Sequence, residues 1–311
     1  MPVVNLERFE SLLKDGIHAE AWLWFEQACE KFTLSDNAQA LYMAMAMARR
    51  KVSASSAAAN ANTFIDPLLL ARYFGDAPEQ FSWCQQALAQ WQYDELARVL
   101  LLCRACQAET CAGTLRYRDD EILVSAYQQG DEYEREAFLK GLCLLQMIVK
   151  PMAAAELKNI TLEACRANVL TMLGAIVSNN PYPAENFSEH EFNQLVLKSL
   201  FSDFSIDSTV ALKERRNAEM SRMCYDFLRE RLAAKRLPPP SIWLTLSLEH
   251  TPEAEAEFLL FLSDKNEQQR YFVAKSLSWQ YPSQTLQTAI AEQIMREKDT
   301  VVRKLLKVCQ K

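Results

Sequence analysis

Apolar positions recur at helical spacing along almost the whole chain. Between residues 8 and 32, Phe9, Leu12 and Leu13 are followed by Ala21, Trp22, Leu23, Phe25, Cys29 and Phe32. That recurrence follows the 3.6-residue period and predicts helix. A second helix is predicted over 37–50, with Ser35 or Asp36 as its cap ahead of an Ala/Met-rich run. The small, polar stretch SASSAAANAN at 53–62 reads as a loop. Asp66-Pro67 then opens the LLLARYF helix, with Asp as cap and Pro at the first helical position. Further helices are predicted near 79–88, 93–109, 119–128, 131–148, 152–158 and 161–178. Strand-like alternation is absent from the pattern.

The sharpest interruption is SNNPYPAENF at 178–187, where two prolines flank Tyr182 and predict extended chain. Ser188 caps the next predicted helix, 189–202, and Glu191 completes a capping-box pattern. His190, Gln194 and Lys198 fall four apart on one stripe of that helix, with Asn193 beside them. After the loop FSDFSIDST, a charged amphipathic helix is predicted over 214–236. It carries Arg215, Asn217, Arg222 and Asp226, and is stopped by Leu237-Pro238-Pro239-Pro240 just before Trp243. Segments 253–262, 266–279, 284–297 and 299–309 read as two helical hairpins. Asp264 precedes Arg270 in one and Asp299 precedes Arg303 in the other, the two arginines lying 33 positions apart. Paired amphipathic helices at that period look like HEAT-type repeats. The expected architecture is all-α: an irregular helical array or α-solenoid of hairpins, divided into an all-helical domain at 1–245 and a HEAT-like tail at 246–311.

Composition agrees with a globular helical chain. The 311 residues are 50% hydrophobic and 24% charged, and six glycines are too few for an all-β fold with many tight turns. Neither GxGxxG nor GxxxxGK occurs, which argues against a dinucleotide or P-loop phosphate cradle. The net charge of −6 argues against general nucleic-acid binding. Residues 264–311 nevertheless hold nine basic and five acidic side chains, a local +4. The nine scattered cysteines read as reduced, buried hydrophobes of a cytoplasmic protein. The start of the chain lacks a signal-peptide pattern, and the apolar runs are too short to span a bilayer.

Little in the chain points to catalysis. Cys103, Cys106 and Cys111 form C-x-x-C-x4-C, but they sit on a helix with no histidine near, so neither a metal nor any other cofactor is expected. His18, His190 and His250 form no HxxxH or HExxH pair. Glu189 and Glu191 flank His190 and would polarise it, yet no nucleophile elbow accompanies them. The amides of Asn193 and Gln194 have two readings: they tie down the NNPYP loop, or they line a polar cleft for a small ligand. The Arg222–Asp226 pair reads as an i,i+4 ladder, while Arg215 and Arg222 are also candidates to hold phosphate or carboxylate.

The stretch from Ala164 to Trp243 resembles the EboA family of bacterial metabolite-traffic proteins. The resemblance is carried by CRANVLTMLGAIVSNNPYPAENFSEHEFNQLVLKSLF, RRNAEMSRMCYDFLRERLAAKR and PPPSIW, with LYMAMAMARRKV and QWQYDELARVLLL as shorter motifs upstream. The family motif falls on Asn168, Asn180, Pro181, Tyr182, Pro183, Phe187, Asn193, Gln194, Lys198, Arg215, Asn217, Arg222, Asp226, Glu230, Arg231, Arg236 and Trp243. Two family glycines are replaced, one by Ala211 ahead of Leu212 and one by Lys235.

The resemblance implies a non-catalytic cytoplasmic adaptor or carrier in the export of a secondary-metabolite precursor towards the periplasm. Its implied partners come from one operon and include a membrane prenyltransferase-like protein. On this reading the 180–200 segment and the 215–231 helix enclose a cleft. Asn180, His190, Asn193, Gln194, Lys198, Arg215, Asn217, Arg222 and Asp226 supply its polar groups, and Tyr182, Phe187 and Trp243 form an aromatic floor for a metabolite precursor. Two alternatives stand beside it: a pure scaffold without ligand, and an enzyme using His190.

Overall fold

Residue Arg98 shows how the first half of the chain is organised. It lies mid-helix, is 2% exposed, donates from Nε to the Met45 carbonyl at 3.1 Å and pairs with Asp94 at 2.6 Å. A charged side chain tolerates such burial only when it is paired and bonded. The helix that carries it is buried nearly all round, as expected of a helix with neighbours on every side. These contacts are seen in a computed structural model that describes residues 6–34, 38–53, 64–76, 81–108, 117–149 and 151–310. The described residues are helical, with no strand and a single isolated bridge between Phe64 and Gln92. The chain divides by packing into two compact units, Met1–Tyr182 and Pro183–Lys311. The boundary read from the sequence lay at 245/246.

In the first unit the helices are α1 (Glu7–Gly16), α2 (Ala19–Leu34), α3 (Gln39–Ser53), α4 (Pro67–Phe74), α5 (Cys84–Leu88), α6 (Tyr93–Gln107), α7 (Asp119–Gln129), α8 (Glu132–Lys140), α9 (Leu142–Ile148), α10 (Pro151–Arg166) and α11 (Leu170–Val177). The central α6 packs against α1, α2, α3, α7, α8 and α9. Asp66 caps α4 as expected, its side chain accepting from the Leu68 N–H at 2.8 Å.

Several boundaries differ from the expectation. The predicted 8–32 helix is two helices. Gly16 ends the first so close to Tyr93 that a Cβ there would overlap the Tyr93 ring, and Ile17 is extended. The predicted 131–148 helix likewise breaks at Gly141, where a Cβ would lie 2.5 Å from Val99 Cγ2, so only glycine lets this junction rest on α6. The predicted pair 152–158 and 161–178 is instead one helix to Arg166 and a second from Leu170, with Val169 extended between them. The expected cap at Ser35 or Asp36, the 53–62 loop, the start of the 79–88 helix and Cys111 lie outside the described residues.

The boundary between the units falls within α12 (Tyr182–Asn186), a short helix where extended chain was expected. Proline in a first helical turn removes an N–H that has no intrahelical partner, so the helix forms at no hydrogen-bond cost. The second unit continues with α13 (Glu189–Phe201), α14 (Leu212–Arg215), α15 (Ala218–Ala233), α16 (Glu255–Leu262), α17 (Glu267–Leu277), α18 (Gln284–Arg296) and α19 (Thr300–Val308). A 3-10 turn, Pro240–Thr245, packs against α14, α15 and α17. The predicted 214–236 helix is therefore broken at Arg216. Asn217 leaves the helix to cap α15, accepting from the Met220 N–H at 2.8 Å.

The four tail helices form where expected, α16 packing on α17 and α18, and α19 on α17 and α18. The two arginines of the 33-residue spacing converge on one residue. Arg270 grips the Glu297 carboxylate from Nε and Nη2 at 2.8 and 3.0 Å, and Arg303 donates from Nε to the Glu297 carbonyl at 3.0 Å.

Candidate functional site

The sequence candidates fall into three groups: those that tie backbone together, those enclosed in a core, and those on the surface. Asn180 is a tie within the first unit. It is 5% exposed, its Nδ2 donates to the carbonyls of Leu139 and Ala175 at 2.9 Å each, and its Oδ1 accepts from the Tyr182 N–H at 3.0 Å. These bonds fix the turn after α11, where Asn179 takes a left-handed φ of 50°. Tyr182 is 1% exposed, and burial pushes its phenol well above the ordinary range.

In the second unit, Arg215 is the hub. Its Nη1 donates to the carbonyls of Pro183 and Ala184 at 2.9 Å each, its Nη2 donates to the Phe187 carbonyl at 2.8 Å, and its guanidinium lies 4.3 Å from the Phe192 ring centroid. The orphan carbonyls of a helix C-terminus need partners, and here one fork supplies them. One of the two sequence readings gave the loop carbonyls to the Asn193 and Gln194 amides; the carbonyls of Pro183, Ala184 and Phe187 are met by Arg215. Burial pulls the Arg215 pKa down, opposed by the charges of Glu189 and Glu191.

Asn193 is fully enclosed on α13 and is paired with Asn217. The Asn217 Nδ2 donates to the Asn193 Oδ1 at 3.0 Å, and the Asn193 Nδ2 donates to the Asn217 Oδ1 and to Glu219 Oε2, both at 3.2 Å. Asn217 Nδ2 also donates to the Arg215 carbonyl at 3.1 Å. The stripe read along α13 thus separates. Asn193 joins Arg215 and Asn217 in one polar knot, while Gln194 faces outward and Lys198 is half-buried. Ser188 and Glu191 form the expected reciprocal cap, with bonds of 3.3 and 2.7 Å.

His190 is exposed, and its Nδ1 lies 3.3 Å from Glu219 Oε1, so the partner carboxylate comes from α15 and not from the neighbouring Glu189 or Glu191. Glu219 therefore bridges His190 and Asn193. Arg222 and Asp226 both lie on the exposed face of α15, and no ion pair joins them among the described residues.

The aromatic residues are core. Phe187 is 5% exposed. Trp243 is fully enclosed, donates from Nε1 to Gln269 Oε1 at 2.6 Å, and packs against Phe258 and Phe261 with centroids 5.2 and 4.9 Å away. An enclosed ring of this size contributes roughly 4–6 kcal/mol of burial as an upper figure. It organises the second unit and presents no face to a ligand. Gln269, 1% exposed, completes the arrangement by donating to the Pro238 carbonyl at 2.8 Å, so the proline linker and Trp243 are held by one amide. Sequence reading missed Gln269 because its partners lie 26 and 31 positions away. It missed Glu219 because the 214–236 segment was read as one uninterrupted helix.

The cysteines behave as packing groups. Cys103 and Cys106 are buried in α6, and burial pushes both thiols up. Cys224 is pushed up to about 12. Among the described residues no group of three or more His, Cys, Asp or Glu side chains is placed to hold a metal ion, and no helix is long and apolar enough to cross a membrane.

No curated protein and no solved structure matches the chain. The two replaced glycines of the family pattern, Ala211 and Lys235, both adopt left-handed backbone, with φ of 56° and 55°. The turns that glycine would favour are therefore retained without it. Residues 5–247 match the family model described as metabolite traffic protein EboA, and the chain belongs to that family.

Proposed function

We propose that the protein is a non-catalytic cytoplasmic adaptor or carrier serving export of a secondary-metabolite precursor towards the periplasm. The observation that carries this reading is the family match over 5–247, a family named for metabolite traffic. The geometry supports it from a second side. Arg215, Asn193 and Asn217 spend their hydrogen bonds on carbonyls and on one another. Groups committed to structure in this way serve as supports and not as acid, base or oxyanion donors, which must meet the reacting atoms.

The adaptor part of the reading rests on the tail, a HEAT-like pair of hairpins. Leu260, Tyr281, Met295, Val301 and Val308 stand exposed there, beside a local excess of positive charge. Partners from the same operon, including a membrane prenyltransferase-like protein, would dock on this side. The scaffold reading without ligand draws on the enclosure of Asn193 and Trp243. The enzyme reading draws on the His190–Glu219 contact.

Deleting the gene in its host tests the proposal. The precursor should accumulate in the cytoplasm, and the wild-type gene should restore export. A Met295→Asp, Val301→Asp double variant should fold but fail to restore it. Undiminished export in the deletion strain would overturn the proposal, and turnover lost in His190→Ala would favour the enzyme.

A further inference from the structure

Arg216 sits beside the hub arginine but is used differently. It is half-buried, its Nη1 donates to the Leu246 carbonyl at 3.0 Å, and its guanidinium carbon lies 5.9 Å from the Trp279 ring centroid. Its Nε–H and Nη2–H make no hydrogen bond among the described residues, in contrast to Arg215, whose two terminal nitrogens meet three carbonyls. That open N–H edge is not among the buried unpartnered atoms, so it is reachable from solvent, where a planar anion can meet it. The carboxylate whose charge acts on it is the exposed Glu249, which forms no ion pair with it among the described residues.

The surroundings are built rather than incidental. Gln280 holds the 246–248 turn from the other side, its Oε1 accepting from the Leu248 N–H at 2.8 Å and its Nε2 donating to the Leu246 carbonyl at 3.4 Å. Trp279 is half-buried next to it, with the Lys275 ammonium also 5.9 Å from its ring. Lys275 itself is paired with Asp207, so of the two cations at the ring Arg216 is the one without a carboxylate partner among the described residues. An open planar fork beside a half-exposed indole matches a planar anion attached to a flat apolar body: the carboxylate takes the fork, and the ring lies against Trp279.

We propose that Arg216 and Trp279, framed by the Leu246–Leu248 turn and Gln280, form a binding site for a small aromatic carboxylate. This names a ligand class for the carrier reading and rests on that reading for its biological meaning.

Calorimetric titration of the whole protein with 2-naphthoate tests it. Saturable binding to one site is expected. Both 2-naphthamide, which keeps the ring but loses the charge, and cyclohexanecarboxylate, which keeps the charge but loses the flat ring, should bind about ten-fold more weakly or worse. Arg216→Gln should lose a similar factor. Arg216→Lys, which keeps the charge without the fork, should fall between Arg216→Gln and wild type. Because the acid–amide comparison uses the wild-type protein, a poorly folding variant does not blunt the test. No binding of 2-naphthoate, equal binding of the amide, or undiminished binding by folded Arg216→Gln would overturn the site. Native mass spectrometry from the host separates the two readings. A small molecule retained equally by wild type and Arg216→Gln removes this site and leaves the carrier standing. A small molecule lost only from the folded variant supports both.

Discussion

Replacing Ala211 and Lys235 by glycine should stabilise the protein. Ala211 has φ 56° and ψ 22° just before α14, and Lys235 has φ 55° just after α15. The second is the left-handed residue of a complete helix stop: the Lys235 N–H donates to the Leu232 carbonyl and the Arg236 N–H to the Arg231 carbonyl, both at 2.9 Å. A residue with a Cβ in this conformation pays roughly 1–2 kcal/mol in steric strain. Glycine removes that cost but adds unfolded-state entropy of about 0.4–1 kcal/mol. The balance is a gain of about 0.5–1 kcal/mol for each substitution, and the two sites, on different turns, should add. Asp203, φ 52° after α13, should gain less because Asp tolerates this region better. Urea unfolding followed by circular dichroism would measure the shift, with an unchanged m-value showing that the denatured state is not the source. Loss of stability in both glycine variants would refute the conformational argument and show that these side chains contribute contacts outweighing their strain.

Three further outcomes follow from the polar ties. Arg215→Met removes three bonds to the carbonyls of residues 183, 184 and 187 and should cost about 2–4 kcal/mol, since bonds to a charged donor are worth more than neutral ones but water can partly replace them; an unchanged melting temperature would return Arg215 to the list of ligand-binding candidates. Asn193→Asp should be worse than Asn193→Ala, because it sets a carboxylate against Glu219 Oε2 and the Asn217 Oδ1, where the alanine only forfeits bonds; calorimetric melting would rank the two. Glu297 supplies a pH dependence. Burial works to raise its pKa, but Arg270, the Asp299 N–H and Gln293 overcome this and hold it at about 2, against 4.5 unperturbed. A depressed acid contributes its stability in full above the unfolded value and loses it as pH falls from about 4.5 towards 2, at most about 3 kcal/mol. Glu297→Gln should flatten that part of the acid-unfolding curve, and an identical curve would refute the assignment.

Local signals in the sequence were reliable where the physics is local. The Ser188–Glu191 capping box, the Asp66 cap and the four tail helices depend on neighbours two to four residues away, and they stand where the pattern placed them. The breaks at Gly16 and Gly141 were not legible, because the α6 side chains that lie against these glycines, Tyr93 and Val99, are distant in the chain. The site followed the same rule. The sequence set Asn193, Arg215 and Asn217 among the candidates, and the structure brings them together. Which carbonyls they meet was not legible, since the partners of Arg215 lie 28 to 32 positions back. Trp243 was read as part of an aromatic floor, whereas its place as an enclosed ring of the second unit depends on Phe258, Phe261 and Gln269, all distant in the chain.

The traffic reading meets its most direct test in native mass spectrometry of the protein purified gently from its own host. The account predicts a small molecule that leaves unaltered on denaturation, a stoichiometric complex with a partner protein, or both. Protein that arrives bare and without a partner, or that converts an added precursor into a product, would contradict it.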